Sequence, residues 1–147
     1  MCNTATAAAL SYLRESYPDV LFVGFEPMIK PASQQSVSRK VTLLSTRATA
    51  ASRRTHDLVE KYGADLKIFK PNTLGWATKI DRLETDDIYL DEVVDTINRG
   101  SDIIIIGCTH YIALIPKLRN LFPNINILEP TEAVARTISR IAYSQRL

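Results

Sequence analysis

Ile103-Ile104-Ile105-Ile106-Gly107-Cys108-Thr109-His110-Tyr111 is the stretch that decides the fold. Four consecutive isoleucines closed by Gly predict a strand buried on both faces, because a strand with one wet face would alternate apolar and polar residues. From Tyr111 to Phe122 the apolar residues recur at helical spacing. Cys108 and His110 are therefore expected on a strand-to-helix turn, at the carboxyl end of a strand. Open α/β sheets place their ligands at such ends. The free N–H groups of a helix start also favour anions and can lower a thiol pKa. A lone Cys at such a turn equally fits a small buried residue.

Working outward, strands and helices alternate. A helix is expected from near Thr4 to about Ser16, with Ala8, Leu10, Leu13 and Tyr17 on its buried face, and Tyr17-Pro18-Asp19 ends the pattern. Val20 to Gly24 reads as a short strand, followed by a connection punctuated by Pro27 and Pro31 and a short helix from Ala32 to Val37. Lys40 to Ser45 reads as the next strand. One continuous helix is expected from Thr49 to Tyr62, capped by Gly63. Asp65 to Phe69 reads as a strand, and Leu74 to Leu83 and Leu90 to Ile97 as helices. The helix after Cys108 contains Pro116, which predicts a late start or a kink. Asn126 to Leu128 is a brief strand, and a final helix runs from about Pro130 to Ala142. This order predicts an α/β fold with a mainly parallel sheet and flanking helices.

The second cysteine adds a constellation. The chain has two, Cys2 and Cys108, near its opposite ends. Cys2 opens Cys2-Asn3-Thr4-Ala5-Thr6-Ala7, again just before a helical pattern. Met1 to Ala7 resembles the first cysteine motif of glutamate racemases, and Gly107-Cys108-Thr109-His110-Tyr111 resembles the second. Val23 to Ala32 is similar to the segment linking that family's two domains, and Leu43-Leu44-Ser45-Thr46-Arg47-Ala48-Thr49 to its Thr-rich turn. The resemblance covers essentially the whole chain.

The resemblance implies inversion of the α-carbon of glutamate without a cofactor or metal. The α-proton is very weakly acidic, so the reaction needs a base on one face and an acid on the other. A thiol suits both tasks, because its pKa of about 8.5 is easily tuned. On the family pattern Cys2 and Cys108 take these roles, and His110 assists Cys108. Asn3, Thr4, Thr109 and His110 match substrate-binding positions, and Thr46 and Thr49 match the pocket's Thr-rich turn. Each has a plainer alternative: His110 as a packing or capping residue, Thr49 as a helix cap. His56 reads as a surface residue. The family's helical Glu has no obvious counterpart; Thr78 and Asp81 both stand near its place.

The chain departs from the family in lacking the Gly-rich start with its Asp-Ser pair and the turn that follows. It therefore resembles the carboxyl-side part of a racemase. Residues 1–24 and 108–147 would be the remainder of the first domain, and residues 25–107 a complete second domain. The expected partners are glutamate and either a missing amino-terminal segment or a second copy of the chain. Two other readings stand beside this one: a non-catalytic remnant that binds an amino acid or a partner chain, and a racemase of the same superfamily acting on aspartate or another amino acid.

Composition bounds these readings. With 147 residues the chain can bury a real core. A formal net charge of +2, with Lys and Arg scattered, gives no case for nucleic acid. Two distant cysteines make no disulfide framework, which fits free thiols and a cytoplasmic location. The first residues lack the basic and apolar regions of a signal peptide, and the isoleucine run is far too short to span a bilayer.

Overall fold

In the computed structural model, which describes residues 1–144, four strands pair in parallel in the order β2-β1-β3-β4. They are β1 (Lys40–Ser45), β2 (Lys67–Phe69), β3 (Ile103–Gly107) and β4 (Asn126–Leu128). β1 is in register with β3 from Val41 opposite Ile103 to Ser45 opposite Gly107. Eight α-helices accompany them among the described residues: α1 (Asn3–Ser16), α2 (Ile29–Gln35), α3 (Arg47–Ala51), α4 (Arg53–Tyr62), α5 (Trp76–Asp81), α6 (Asp91–Asn98), α7 (Ile115–Leu121) and α8 (Thr131–Ser144).

The isoleucine run behaves as its composition requires. Ile103, Ile104, Ile105 and Ile106 are 2%, 0%, 0% and 1% exposed, and β3 lies between β1 and β4. Their side chains alternate between two cores. Ile104 and Ile106 pack with Leu44, Val93, Tyr111 and Leu118 on the face covered by α5, α6 and α7. Ile103 and Ile105 pack with Val41, Leu43, Ile29 and Ala32 on the face covered by α2 and α4. Each buried isoleucine contributes about 1.5–3 kcal/mol of transfer free energy.

Several local expectations are corrected. Val20 to Gly24 is extended but is not a strand. Its regular backbone pairing is confined to Met1, whose amino group donates to the Val23 carbonyl and whose carbonyl accepts from the Phe25 N–H. A strand needs a continuous partner ladder, and β propensity does not supply one. Gly24 is needed here for close approach: a Cβ would lie 2.5 Å from Thr6 Cγ2 on α1. The helix expected over Thr49 to Tyr62 is two helices, α3 and α4, broken at Ser52. That residue is extended (ψ 145°), and its hydroxyl accepts from the Thr55 N–H as the cap of α4. A side chain offering its own hydrogen bond competes with helix continuation. Gly63 does follow α4, but with φ −130° it is not left-handed. Its small size matters instead, since a Cβ would lie 3.0 Å from Ile29 Cγ2. The short helix expected from Ala32 begins earlier, at Ile29, with Pro31 inside its first turn. The late start that Pro116 predicts is observed: Thr109–Leu114 is a 3₁₀ helix, and α7 begins at Ile115 with Pro116 at its start.

β4 belongs to the same sheet as β1 and β3, and Leu114, Ile115 and Leu118 belong to the same core as Ile104 and Ile106. α8 has no buried residue and flanks α1 across a groove of about 650 Å³. No helix among the described residues is long and apolar enough to cross a membrane.

Candidate active site

The connection after β1 leads to β2 on one side, whereas the connection after β3 leads to β4 on the other. The crevice outside the carboxyl ends of β1 and β3 is therefore the topological switch point of the sheet, where parallel α/β proteins bind ligands. Thr46 follows β1 there and Cys108 follows β3. Gly107 lets the two strands close up: a Cβ would lie 2.9 Å from Ser45 Cβ and 3.2 Å from the Leu44 carbonyl oxygen.

α1 brings the first cysteine motif to this crevice. The Thr4 hydroxyl lies 3.1 Å from that of Thr46 and 3.1 Å from that of Thr49, which are themselves 3.0 Å apart. Thr46, not Thr49, is the helix cap, accepting from the Thr49 N–H at 3.2 Å. Asn3 is 3% exposed, and neither polar atom of its carboxamide has a partner among the described residues. A buried amide without a partner is costly, and such groups are uncommon in folded proteins. Cys2 is the exposed cap of α1, its sulfur accepting from the Ala5 N–H at 3.5 Å.

Cys108 is 5% exposed. Burial pushes its thiol pKa up, against the backbone N–H groups of His110 and Tyr111, which favour the thiolate. Nearby negative charge, on Cys2 when ionised and on Asp81, pushes it up further. Cys108 Sγ lies 3.7 Å from His110 Nδ1, and His110 Nε2 lies 3.3 Å from Asp81 Oδ1. Of the two residues near the family Glu, Asp81 pairs with His110, while Thr78 lines a cleft of about 510 Å³ beside Tyr111 and Thr46. Thr109 begins the 3₁₀ helix and is half-buried. The crevice thus joins the Cys108 thiol, the threonine hydroxyls and an imidazole backed by a carboxylate, groups that can exchange protons and bind a small polar molecule.

His56 lies on the exposed face of α4, where its side chain, Asp57 and Glu60 come within 4.8 Å of one another. Arg53 already donates to Asp57 at 2.7 Å. Thr73 and Tyr111 also bear on the site although no role was expected of them. Tyr111 stood in the quoted motif, but its long hydrogen-bond reach had no sequence signal.

A parallel sheet with a thiol turn and a threonine turn on its two switch-point strands makes this an α/β protein with a candidate ligand site at the carboxyl ends of those strands. The chain belongs to the Asp/Glu/Hydantoin racemase family, whose profile matches residues 1–138. It is 35% identical to the glutamate racemase of Pseudomonas aeruginosa strain UCBPP-PA14 over 155 residues, covering 99% of this chain and 57% of that protein. It is 37% identical to the glutamate racemase of Herpetosiphon aurantiacus over 150 residues, covering 95% and 57%. The crystal structure of Escherichia coli glutamate racemase, in complex with L-glutamate and the activator UDP-MurNAc-Ala, superposes with a TM-score of 0.78 at 28% identity. That match covers 94% of this chain and 55% of the E. coli chain. The chain therefore spans little more than half the length of these relatives.

Proposed function

We propose that this chain carries most of a site for the cofactor-independent interconversion of L- and D-glutamate. One thiolate, of Cys2 or Cys108, removes the α-proton, and the opposite thiol returns a proton to the other face. His110 accepts or returns the Cys108 proton through Nδ1, with Asp81 holding the imidazole from Nε2. Asn3, Thr4, Thr46, Thr49 and Thr109 hold the carboxylate and ammonium groups. The observation that carries this reading is the meeting of Thr4 with Thr46 and Thr49, since it joins the Cys2 motif to the crevice that bears Cys108. The unpartnered Asn3 carboxamide supports it, because a bound amino acid would satisfy both of its polar atoms. The product suits cytoplasmic supply of D-glutamate for peptidoglycan.

The domain division belongs to the same proposal. Residues 1–24 and α8 form one domain's share, and the sheet from β1 to β4 forms the other domain. This division moves the carboxyl-side boundary from residue 108, expected from the sequence, to after β4, and the pairing of β3 with β4 supports the change. Further polypeptide, an amino-terminal segment or another chain, completes the first share. A second reading, binding of an amino acid without turnover, is favoured by the exposure of Cys2. Proton exchange separates the two. Incubation with L-glutamate in deuterium oxide should place deuterium at the α-carbon, and the double variant Cys2→Ala with Cys108→Ala should abolish this. Binding of glutamate without exchange would establish the second reading.

A further inference from the structure

Thr73 sits in the connection between β2 and α5 and is buried, on the wall of the 510 Å³ cleft. Its hydroxyl donates to the Ser45 carbonyl at 2.7 Å, immediately before Thr46. Its own carbonyl accepts from the Tyr111 hydroxyl at 3.3 Å and from the Trp76 N–H at 3.2 Å. Tyr111 in turn donates its N–H to the Cys108 carbonyl at 3.0 Å. Trp76 packs edge-on against Tyr111, with ring centroids 5.5 Å apart, and opens the helix that ends at Asp81. One residue therefore touches the threonine turn, the cysteine turn and the helix that supports His110.

We propose that Thr73 is a positioning residue: it fixes the spacing between the Thr46 turn and the Cys108 turn through Tyr111, whose N–H closes the cysteine turn on the Cys108 carbonyl. The two turns lie on adjacent strands, but strand pairing ends at Ser45 opposite Gly107, before either turn begins. Beyond that point other bonds must set the geometry. A buried hydroxyl-to-carbonyl bond at 2.7 Å is directional and shielded from water, so it suits the task. Tyr111 is 1% exposed, which leaves its hydroxyl little freedom to find another partner. Loss of the Thr73 hydroxyl frees the loop end that Tyr111 leans on. Tyr111 then shifts, and with it the cysteine turn that its N–H closes, so the Cys108 sulfur moves relative to the backbone N–H groups that favour its thiolate.

The proposal rests on Cys108 being the working thiol, but its test does not need racemisation. In a Cys2→Ala background, the rate of Cys108 alkylation by iodoacetamide is followed against pH. Thr73→Val keeps the branched shape and removes the donor; Thr73→Ser keeps the donor. The midpoint for Thr73→Val should rise by about half a pH unit or more, the direction expected on losing a donor to the thiolate, while Thr73→Ser should match the parent. A Thr73→Val protein that melts at a lower temperature but keeps the parent midpoint would show a merely structural role and overturn the proposal. If Thr73→Val does not fold, Tyr111→Phe decides, since it cuts the same link and leaves the Thr73 hydroxyl in place. A raised midpoint in Tyr111→Phe supports the proposal, and an unchanged one overturns it.

Discussion

Cys108 and Cys2 offer the same atom in opposite settings. Cys2 is exposed on a helix cap, whereas Cys108 is buried and its thiol is held up by desolvation. Iodoacetamide at neutral pH should therefore label Cys2 roughly tenfold or more faster than Cys108, since reaction needs both access and thiolate. Peptide mass spectrometry over a time course reads this directly; equal rates would contradict the buried placement. A second residue acts at the other end of the sheet. The Asp102 carboxylate accepts from the Ser36 hydroxyl and from the Val37 and Ser38 N–H groups, each at 2.7 Å. Burial works against its charge, but these donors outweigh it and hold the carboxyl below its ordinary value. A depressed acid stabilises the fold fully above its unfolded value of about 3.9, and this contribution disappears as pH falls through the lower folded value. Asp102→Ala should cost roughly 1–2 kcal/mol at pH 7. Urea melts of wild type and variant should converge as the pH is lowered through that window.

At the scale of elements, β3 carries the fold. An unpaired carboxylate at Ile105 would sit where no water reaches, and its cost of several kcal/mol compares with a total stability of about 5–15 kcal/mol. Ile105→Asp should yield no soluble, cooperatively folding protein. Ile105→Val should remain soluble and lose only about 0.5–1.5 kcal/mol by urea denaturation. A soluble Ile105→Asp protein with a sharp melt would refute the central position of the strand. The boundaries of β1 and β3 were readable because composition and period are local and strong there. Val20 to Gly24 misled for the opposite reason: its residues suit a strand, but a strand exists only where a partner supplies hydrogen bonds. Ser52 breaks the helix expected over Thr49 to Tyr62 through its own side-chain bond to Thr55, a choice that helical periodicity does not reveal.

For the whole molecule the question is what covers α1, the 20–24 segment and α8. Val20 and Leu21 are exposed and line the groove between them, and Ile138 of α8 is exposed as well. Cys2 projects from the same unit, exposed at the start of α1, so its position depends on how that unit is packed. A misplacement of about 1 Å in a catalytic group can cost roughly a hundredfold in rate. The 147-residue chain alone should therefore turn over L-glutamate well below about 1 per second, the low end of ordinary enzymes. Adding the amino-terminal part of a full-length relative, as a separate polypeptide, should raise the rate severalfold or more. Chiral chromatography of D-glutamate measures both, with Cys108→Ala as the blank. Full turnover by the chain alone would show that Cys2 is already well placed.

The sequence by itself determined the strand Ile103 to Ile106, the turn that puts Cys108 at its carboxyl end, and the presence of two cysteine motifs. These follow from residue type and short-range spacing, which act within a few residues of the chain. Only the tertiary structure decided which distant residues meet. Thr4 reaches Thr46 and Thr49 across 42 and 45 residues of chain. Asp81 rather than Thr78 faces His110 because α5 packs on the turn after Cys108 through Trp76 and Tyr111. Thr73, in a loop with no periodicity of its own, gained its role from two carbonyl-to-hydroxyl contacts that exist only after the sheet has formed. Such contacts are set by how helices pack against strands, and no local pattern encodes them.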